Sequence, residues 1–298
     1  MSLFERLVAE ALSAQVALNR LTMVVEKEIL HHDILREMSG AGLLEKLTFM
    51  GGTCLRACYG SSRLSEDLDF TGGAEFNRES LLSLPALLRE KLLVKYGLVV
   101  EVTEPKREIG NVDTWKLKLV TRPEQKGIPI QRINIDICAV PSYDQRPMML
   151  RNHYGVDMGT SGLILQVESR EEILADKLMA LALWPGRIKN RDLWDIVWLK
   201  QQGIILPIDL LAKKITDYYH SAESFVPLLD RRRELLNGDA STHMAFNQEM
   251  KRFLPANLVA ETIENRSFWP YLTNLVTTEC DQVIAWLSGK TTPPSFKM

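Results

Sequence analysis

Two aspartates one residue apart, Asp67 and Asp69, follow a pair of glycines, Gly51 and Gly52. Side chains at i and i+2 of a strand share one face, so both carboxylates point the same way while Leu68 points into the core. Adjacent carboxylates repel each other unless a cation lies between them. Hard oxygen ligands suit Mg²⁺, which proteins usually hold with one or two carboxylates together with substrate phosphates. The spacing therefore favours a metal and phosphate site, although an isolated Asp-x-Asp is more often a pair of solvated aspartates.

The elements around the glycines support the functional interpretation. The apolar run Leu47–Met50 predicts a short buried strand before the turn. Glycines let the backbone turn sharply and approach a ligand closely, and backbone N–H groups at such a turn can bind phosphate oxygens. A short helix is predicted over Cys54–Tyr59, ended by Gly60. A strand, a glycine turn and a helix before the aspartates favour a site over solvated surface residues.

A resemblance to the AbiEii/AbiGii toxin family is carried by Gly51-Gly52-Thr53, Leu55-Arg56, Tyr59-Gly60, Arg63 and Ser65-Glu66-Asp67-Leu68-Asp69-Phe70. Members of that family are nucleotidyltransferases of the DNA polymerase β-like superfamily. The resemblance covers residues 45–70 well and residues 130–200 more loosely. It implies a Mg²⁺-dependent enzyme that transfers NMP from an NTP to a hydroxyl acceptor.

The same resemblance implies partners. The family provides the toxin half of toxin–antitoxin or abortive-infection pairs, which act in phage defence, so a cognate antitoxin protein is expected. Some relatives add nucleotides to the 3′ end of tRNA, which makes tRNA or another RNA the expected acceptor. Nucleotidyl transfer to a protein or a small molecule is a rival hypothesis, and a non-catalytic module that binds a nucleotide or a partner is the competing class.

A third carboxylate is expected from the family, whose relatives use one on a strand beside the aspartate pair. Asp136 lies on the polar face of an alternating segment, where an aspartate on its own could equally be solvent-exposed. The resemblance favours Asp136 as a metal ligand with Asp67 and Asp69, and as general base toward the attacking hydroxyl. Asn134, on the same face, is a weaker candidate.

A second segment resembles the family's Asp-Lys-Leu and Arg-Asp motifs, at Asp176-Lys177-Leu178 and Arg191-Asp192. It implies that Lys177 contacts the triphosphate, since lysine is a compact point charge; a solvated helix lysine is the default for a single Lys. Asp192 and Asp195 share a helix face. They could orient Lys177 or Arg191, contact the base, or form an ordinary salt-bridged face.

The predicted nucleotide-binding set joins these residues to those around the turn. Arg56 and Arg63 could steady a phosphate or pair with the acidic cluster. The full set is Gly51, Gly52, Thr53, Arg56, Arg63, Lys177, Asp192 and Asp195.

Composition describes an ordinary globular protein of 298 residues, 46% hydrophobic and 25% charged, with a net charge of −2. Residues 169–298 contain 16 basic and 16 acidic residues, which leaves 20 and 22 of the totals of 36 and 38 for residues 1–168. Neither half is a general polyanion binder, so any RNA contact must be a local patch, with Lys213, Lys214 and Arg231–Arg233 as candidates.

The cysteines lack metal-ligand spacing, and no signal peptide or membrane span is evident, which favours a reduced cytoplasmic protein.

Periodicity divides the chain into an α+β part and a helical part. Residues 1–40 are predicted to be helices that pack on the core, beginning with a cap at Ser2, and His31 and His32 are expected to be exposed. Residues 41–168 form the polymerase β-like core with a mixed sheet, and residues 169–298 an all-helical C-terminal domain. The core is predicted to contain a helix over 77–96, which Pro85 could bend or divide into two shorter helices. Strands are predicted over 98–103, 113–121, 129–140 and 163–167, and irregular structure over 142–162.

Overall fold

The computed structural model of the chain describes residues 1–105, 111–122, 129–238 and 240–290. They form two compact units, Met1–Glu168 and Ser169–Met298. The sequence also predicts a loop over 107–111 and a turn at 127–129, which lie partly outside the described residues. It predicts a disordered, Pro-rich tail over 291–298, which lies wholly outside them. The first unit combines a mixed sheet with helices and the second is helical, which confirms the predicted α+β class.

Two helices open the first unit. Helix α1, Leu3–Ala14, starts with a capping box in which Ser2 and Glu5 bond each other's backbone N–H. After a 3-10 turn at Val16–Leu21 comes α2, Thr22–Gly40. The expectation that His31 and His32 are exposed is wrong, because they are only 2% and 4% exposed. Helix α2 contacts α1, strand β5 and other elements, and its buried residues include polar ones: Glu26, Glu28, His31, His32 and Asp33.

The sheet has seven strands among the described residues, in the order β3-β4-β5-β2-β1-β7-β6. The strands are β1 Thr48–Met50, β2 Leu68–Thr71, β3 Val100–Thr103, β4 Val112–Leu119, β5 Gln131–Cys138, β6 Gln145–Met149 and β7 Ile164–Glu168. Strand β2 lies between β1, to which it is antiparallel, and β5, to which it is parallel. The predicted alternation in β5 is confirmed, since Ile133, Ile135 and Ile137 are fully buried.

Strand β6 was not predicted, because residues 142–162 were expected to be irregular. It pairs antiparallel with β7 at one edge of the sheet, with Pro147 opposite Gln166. Proline has no N–H to donate to a ladder and is tolerated in edge strands. Pro147 is therefore compatible with this edge strand.

The helix predicted over 77–96 is divided in two. Asn77 accepts a bond from the Glu79 N–H and caps a 3-10 turn at Arg78–Leu81. Helix α4, Leu84–Tyr96, then begins with Pro85 in its first turn, where a missing N–H costs nothing. Helix α3, Gly51–Cys54, continues as a π-helical turn, Leu55–Tyr59. The predicted helix thus begins three residues earlier, at Gly51.

The second unit follows β7 directly. Ser169 caps α5 by accepting the Glu172 N–H. The helices are α5 Arg170–Leu183, α6 Asn190–Gln201, α7 Ile208–Asp217, α8 Ala222–Gly238, α9 Ala240–Met250, α10 Ala256–Leu258 with a π-helical turn Val259–Ile263, and α11 Phe268–Leu287. Within the described residues, no helix has the length and apolar character needed to cross a membrane.

Candidate active site

The glycine turn lies against the second aspartate of the motif. Gly51 follows β1 and has φ +75°, a left-handed backbone conformation that residues other than glycine rarely adopt. A Cβ atom at this position would lie 2.6 Å from Asp69 Oδ2. Two independent constraints therefore require glycine here, and the Asp69 carboxylate takes the space that a side chain would fill.

Asp69 and Asp136 are direct partners in the parallel register of β2 and β5. The flanking pair Leu68 and Ile135 is fully buried. Because side chains alternate along a strand, the two partly exposed aspartates lie on the opposite face from that pair. Neighbouring strands are about 4.8 Å apart, so two acidic side chains stand side by side on that face.

Asp67 lies one residue before β2 rather than inside it. Its Oδ1 accepts the backbone N–H of Asn134 at 3.0 Å. Asn134 is two residues before Asp136 on β5, so this bond directs the Asp67 carboxylate toward the strand that carries Asp136. The three predicted aspartates therefore belong to one region of the first unit.

The donor types fit a divalent cation of the hard class, because all three predicted ligands are carboxylates. The Asn134 bond leaves further lone pairs on the Asp67 carboxylate, which has roughly four acceptor positions. Within the described ranges, however, no three acidic, histidine or cysteine side chains already surround one point as metal ligands. The chemistry of the donors thus fits Mg²⁺, and the coordination geometry stays a prediction.

Thr53 and Ser65 hold the segment that leads to Asp67. Thr53 is 1% exposed. Its hydroxyl lies 2.7 Å from Ser65 Oγ and also contacts the backbone carbonyl of Asp67. The Thr53 side chain therefore supports the aspartate segment, and its predicted contact with a nucleotide stays a prediction.

The two arginines of the predicted set are buried. Arg56 pairs with Glu28 at 3.2 Å and donates to the Ser61 carbonyl at 3.0 Å. Burial alone would raise the pKa of Glu28, but Arg56, the Tyr154 hydroxyl and a backbone N–H hold that pKa below its usual range. Arg63 is 2% exposed and donates to the Leu64 carbonyl at 2.9 Å. These contacts stabilise the first unit, and a phosphate contact by either arginine stays a prediction.

In the second unit, Lys177 is held by the two aspartates predicted beside it. Its Nζ lies 2.6 Å from Asp192 Oδ1 and 2.9 Å from Asp195 Oδ2. The side chain of Asp195 is fully buried and that of Lys177 is 12% exposed. Both aspartates therefore form an ion pair with Lys177, and their contact with a nucleotide base stays a prediction.

The basic runs need a correction. Lys214 was a candidate RNA contact, but it is 2% exposed and pairs with Glu172 at 2.8 Å and Asp176 at 2.7 Å. Arg232 donates to the carbonyls of Trp184 and Gly186.

Arg233 of the same run is also engaged, because it pairs with Asp230 and Asp281. Lys213 and Arg231 are the exposed members of the two runs.

Sequence reasoning missed three polar residues of α2 that contact the aspartate segment: Lys27, Glu28 and His31. Lys27 and His31 are four positions apart, a spacing that puts both side chains on one side of a helix. That spacing was a usable signal in the sequence.

A glycine turn against an aspartate, beside a strand with a further aspartate in register, defines the nucleotidyltransferase class. Comparison with known families agrees, and the chain belongs to the family described as "Nucleotidyl transferase AbiEii toxin, Type IV TA system", whose model matches residues 33–274. The chain is therefore a toxin-type nucleotidyltransferase with an NTP as substrate, and a type IV toxin–antitoxin system implies an antitoxin partner.

One of the solved structures that the chain resembles shares its fold. MenT4, a nucleotidyltransferase toxin from Mycobacterium tuberculosis H37Rv, is 15% identical, with a TM-score of 0.52 over 95% of this chain and 98% of that chain. JHP933 from Helicobacter pylori is also 15% identical, with a TM-score of 0.49 over 89% of this chain and 95% of that chain. A search of curated proteins finds no match.

Proposed function

We propose that this enzyme transfers a nucleoside monophosphate from an NTP to a hydroxyl group at the 3′ end of tRNA, with Mg²⁺ as the metal. The observation that supports this proposal best is the side-by-side pairing of Asp69 and Asp136. Two carboxylates on adjacent strands repel each other unless a cation or a proton lies between them. With NTP as the family's substrate, a magnesium ion is the natural occupant.

The aspartates have separate roles in this proposal. Asp67, Asp69 and Asp136 would hold Mg²⁺, which would neutralise charge on the phosphate oxygens and lower the pKa of the acceptor hydroxyl. Asp136 accepts the proton of that hydroxyl. The hydroxyl oxygen then forms a bond to the α-phosphorus, the bond from that phosphorus to the bridging oxygen breaks, and pyrophosphate leaves.

The phosphates would be bound by the backbone and by one lysine. The first N–H groups of a helix have no partner inside it, so those of Gly52 and Thr53 in the first turn of α3 are suited to phosphate oxygens. Lys177 is the proposed triphosphate contact on the strength of its resemblance to the family segment. Asp192 and Asp195 would hold its ammonium group in one orientation.

The proposed acceptor follows from the charge of the chain. A net charge of −2 is not that of a protein that binds any long nucleic acid, so an acceptor recognised by its shape is favoured. Lys213 and Arg231 are the exposed members of the basic runs and are the candidate contacts with the acceptor. We place the reaction in the cytoplasm, where NTP and tRNA occur together.

The test is incubation of the purified chain with total RNA and each of the four NTPs, followed by sequencing of RNA 3′ ends. The proposal predicts extra nucleotides on tRNA that require Mg²⁺ and are absent with Asp69→Asn. Label transferred to a protein or to a small molecule would replace the acceptor but keep the chemistry. NTP binding without transfer to any acceptor would favour the non-catalytic alternative.

A further inference from the structure

The segment Ser65–Asp67 lies just before β2, so the sheet ladder does not hold it. Three side chains of α2 contact this segment. Ser65 N–H donates to Glu28 Oε1 at 3.0 Å, and His31 Nε2 lies 3.0 Å from the Glu66 carbonyl oxygen. Lys27 Nζ lies 2.7 Å from the Glu66 carboxylate. The Asp67 carbonyl contacts the Thr53 hydroxyl, so each of the three residues of the segment makes at least one contact outside it.

Two of these contacts come from buried side chains, whereas the side chains of the Lys27–Glu66 ion pair are 13% and 20% exposed. His31 is 2% exposed and Glu28 is 4% exposed. Burial lowers the pKa of His31 to about 4, so the imidazole is neutral at pH 7. A carbonyl oxygen can only accept, so the one ring proton lies on Nε2 and is donated to Glu66. Glu28 in turn is oriented by Arg56 and the Tyr154 hydroxyl.

We propose that Lys27, Glu28 and His31 are positioning residues that set the place of Asp67 in the active site. The proposal rests on the proposed function, in which Asp67 holds the metal. All three residues precede residue 33, where the family match begins. Partners behind a metal ligand typically contribute about 10- to 100-fold to metal affinity, so loss of one should loosen Asp67 and weaken metal binding without removing a ligand.

The test compares two adjacent buried histidines. His31→Phe removes the donor to Glu66 with similar volume, and His31→Gln keeps an N–H that can replace it. His32→Phe is the matched control, because His32 is 4% exposed and its Nδ1 bonds Thr160 Oγ1 at 2.9 Å rather than the aspartate segment. Mn²⁺ alone serves as the probe, with affinity measured by electron paramagnetic resonance on the full-length chain. Hydrogen exchange over Ser65–Asp69 is measured on the same samples.

The proposal predicts that His31→Phe weakens Mn²⁺ binding about tenfold and speeds exchange in the segment. His31→Gln should recover most of the affinity, and His32→Phe should bind like the wild type. If His31→Phe does not fold, Lys27→Met replaces it with Lys95→Met as its control, because Lys95 pairs with Asp33 of the same helix at 2.6 Å. Lys27→Met should weaken Mn²⁺ binding several-fold, and Lys95→Met should leave it unchanged.

The variant Asp67→Asn distinguishes a failure of the positioning role from a failure of the proposed function, in which Asp67 holds the metal. If Asp67→Asn abolishes Mn²⁺ binding while His31→Phe and Lys27→Met bind like the wild type, the positioning role is wrong and the metal site stands. If the wild type and Asp67→Asn bind Mn²⁺ equally, Asp67 is not a metal ligand and both proposals are overturned. Equal loss of affinity in His31→Phe and His32→Phe would assign the effect to general destabilisation and also reject the positioning role.

Discussion

Asp69 of β2 and Asp136 of β5 are register partners in adjacent parallel strands. Their carboxylates lie on one face of the sheet, opposite the face that carries the buried isoleucines of β5. Two negative charges at that spacing disfavour each other's ionisation unless a cation lies between them. This relationship joins the motif near residue 69 to a strand that follows much later in the chain.

Replacing Asp69 should stop transfer without unfolding the protein. Asp69→Asn removes a proposed metal ligand, and a metal-based stabilisation of several kcal/mol corresponds to a rate loss of about a thousandfold or more. Removing one of two adjacent carboxylates relieves repulsion, so the melting temperature should not fall. Asp144→Asn is the control, because its carboxylate is 39% exposed and lies 3.0 Å from Arg146, its near neighbour in the chain. An active Asp69→Asn enzyme would refute the ligand assignment.

Asp136→Asn should separate binding from chemistry. As the proposed general base, Asp136 contributes mainly to turnover, and loss of such a group typically costs about 10²- to 10⁴-fold in rate. NTP affinity, measured by calorimetry, should change much less than kcat. The opposite pattern, weak NTP binding with normal turnover at saturation, would assign Asp136 to nucleotide binding instead.

Gly51→Ala should damage the site more than its backbone strain alone explains. Gly51 and Gly97 have φ +75° and +70°, but only at Gly51 would a Cβ meet Asp69, since nothing lies within 4 Å of one at Gly97. Each alanine should cost about 1–2 kcal/mol of stability through the left-handed conformation. Only Gly51→Ala should also lose transfer activity. Equal activity of both variants would show that the close approach to Asp69 has no functional part.

Replacing Lys214 should destabilise the protein much more than replacing its neighbour Lys213. Lys214→Ala leaves Glu172 and Asp176 without the ammonium that pairs with them, and breaking a buried pair typically costs about 3–5 kcal/mol. Lys213→Ala, at an exposed position, should change the free energy of unfolding by less than about 0.5 kcal/mol. Urea denaturation measures both, and a stable Lys214→Ala protein would contradict the structural role.

Stability should fall in mild acid because of the buried histidines. Burial lowers the pKa of both His31 and His32 from 6.5 to about 4. The unfolded chain therefore binds protons at a higher pH than the folded chain. Their contribution is fully present above pH 6.5 and is lost as the pH falls toward 4, by about 1.4 kcal/mol per pH unit for each histidine. Urea unfolding between pH 7.5 and 5 measures this slope, which should be shallower in His31→Gln; an unchanged free energy across that range would contradict it.

The local parts of the site were predictable from the sequence. The alternation of β5 identifies which of its side chains share a face, because that pattern depends only on strand geometry. The expectation that Asp67 and Asp69 lie in one strand is met only by Asp69, since Asp67 precedes β2. The pairing of Asp69 with Asp136 depends on strand order, which no local pattern contains. For this reason the resemblance, rather than periodicity, singled out Asp136.

Burial was the least predictable property. His31 and His32 look like a polar helix face, but α2 is surrounded by other elements, so polarity there reflects internal hydrogen bonds instead of solvent. Lys213 and Lys214 form one basic run, yet successive helix positions point about 100° apart. One is exposed and the other is buried between two carboxylates.

The central claim is nucleotidyl transfer at the aspartate site. The most direct measurement follows the α-phosphorus and the γ-phosphorus of the NTP separately. Wild-type protein is incubated with total RNA, Mg²⁺ and NTP labelled at either the α- or the γ-phosphorus. We predict that the α-label enters RNA and the γ-label leaves as pyrophosphate, and that Asp136→Asn does both at least about a hundredfold more slowly. Transfer of the γ-label, or incorporation of the α-label that Asp136→Asn leaves unchanged, would contradict the account.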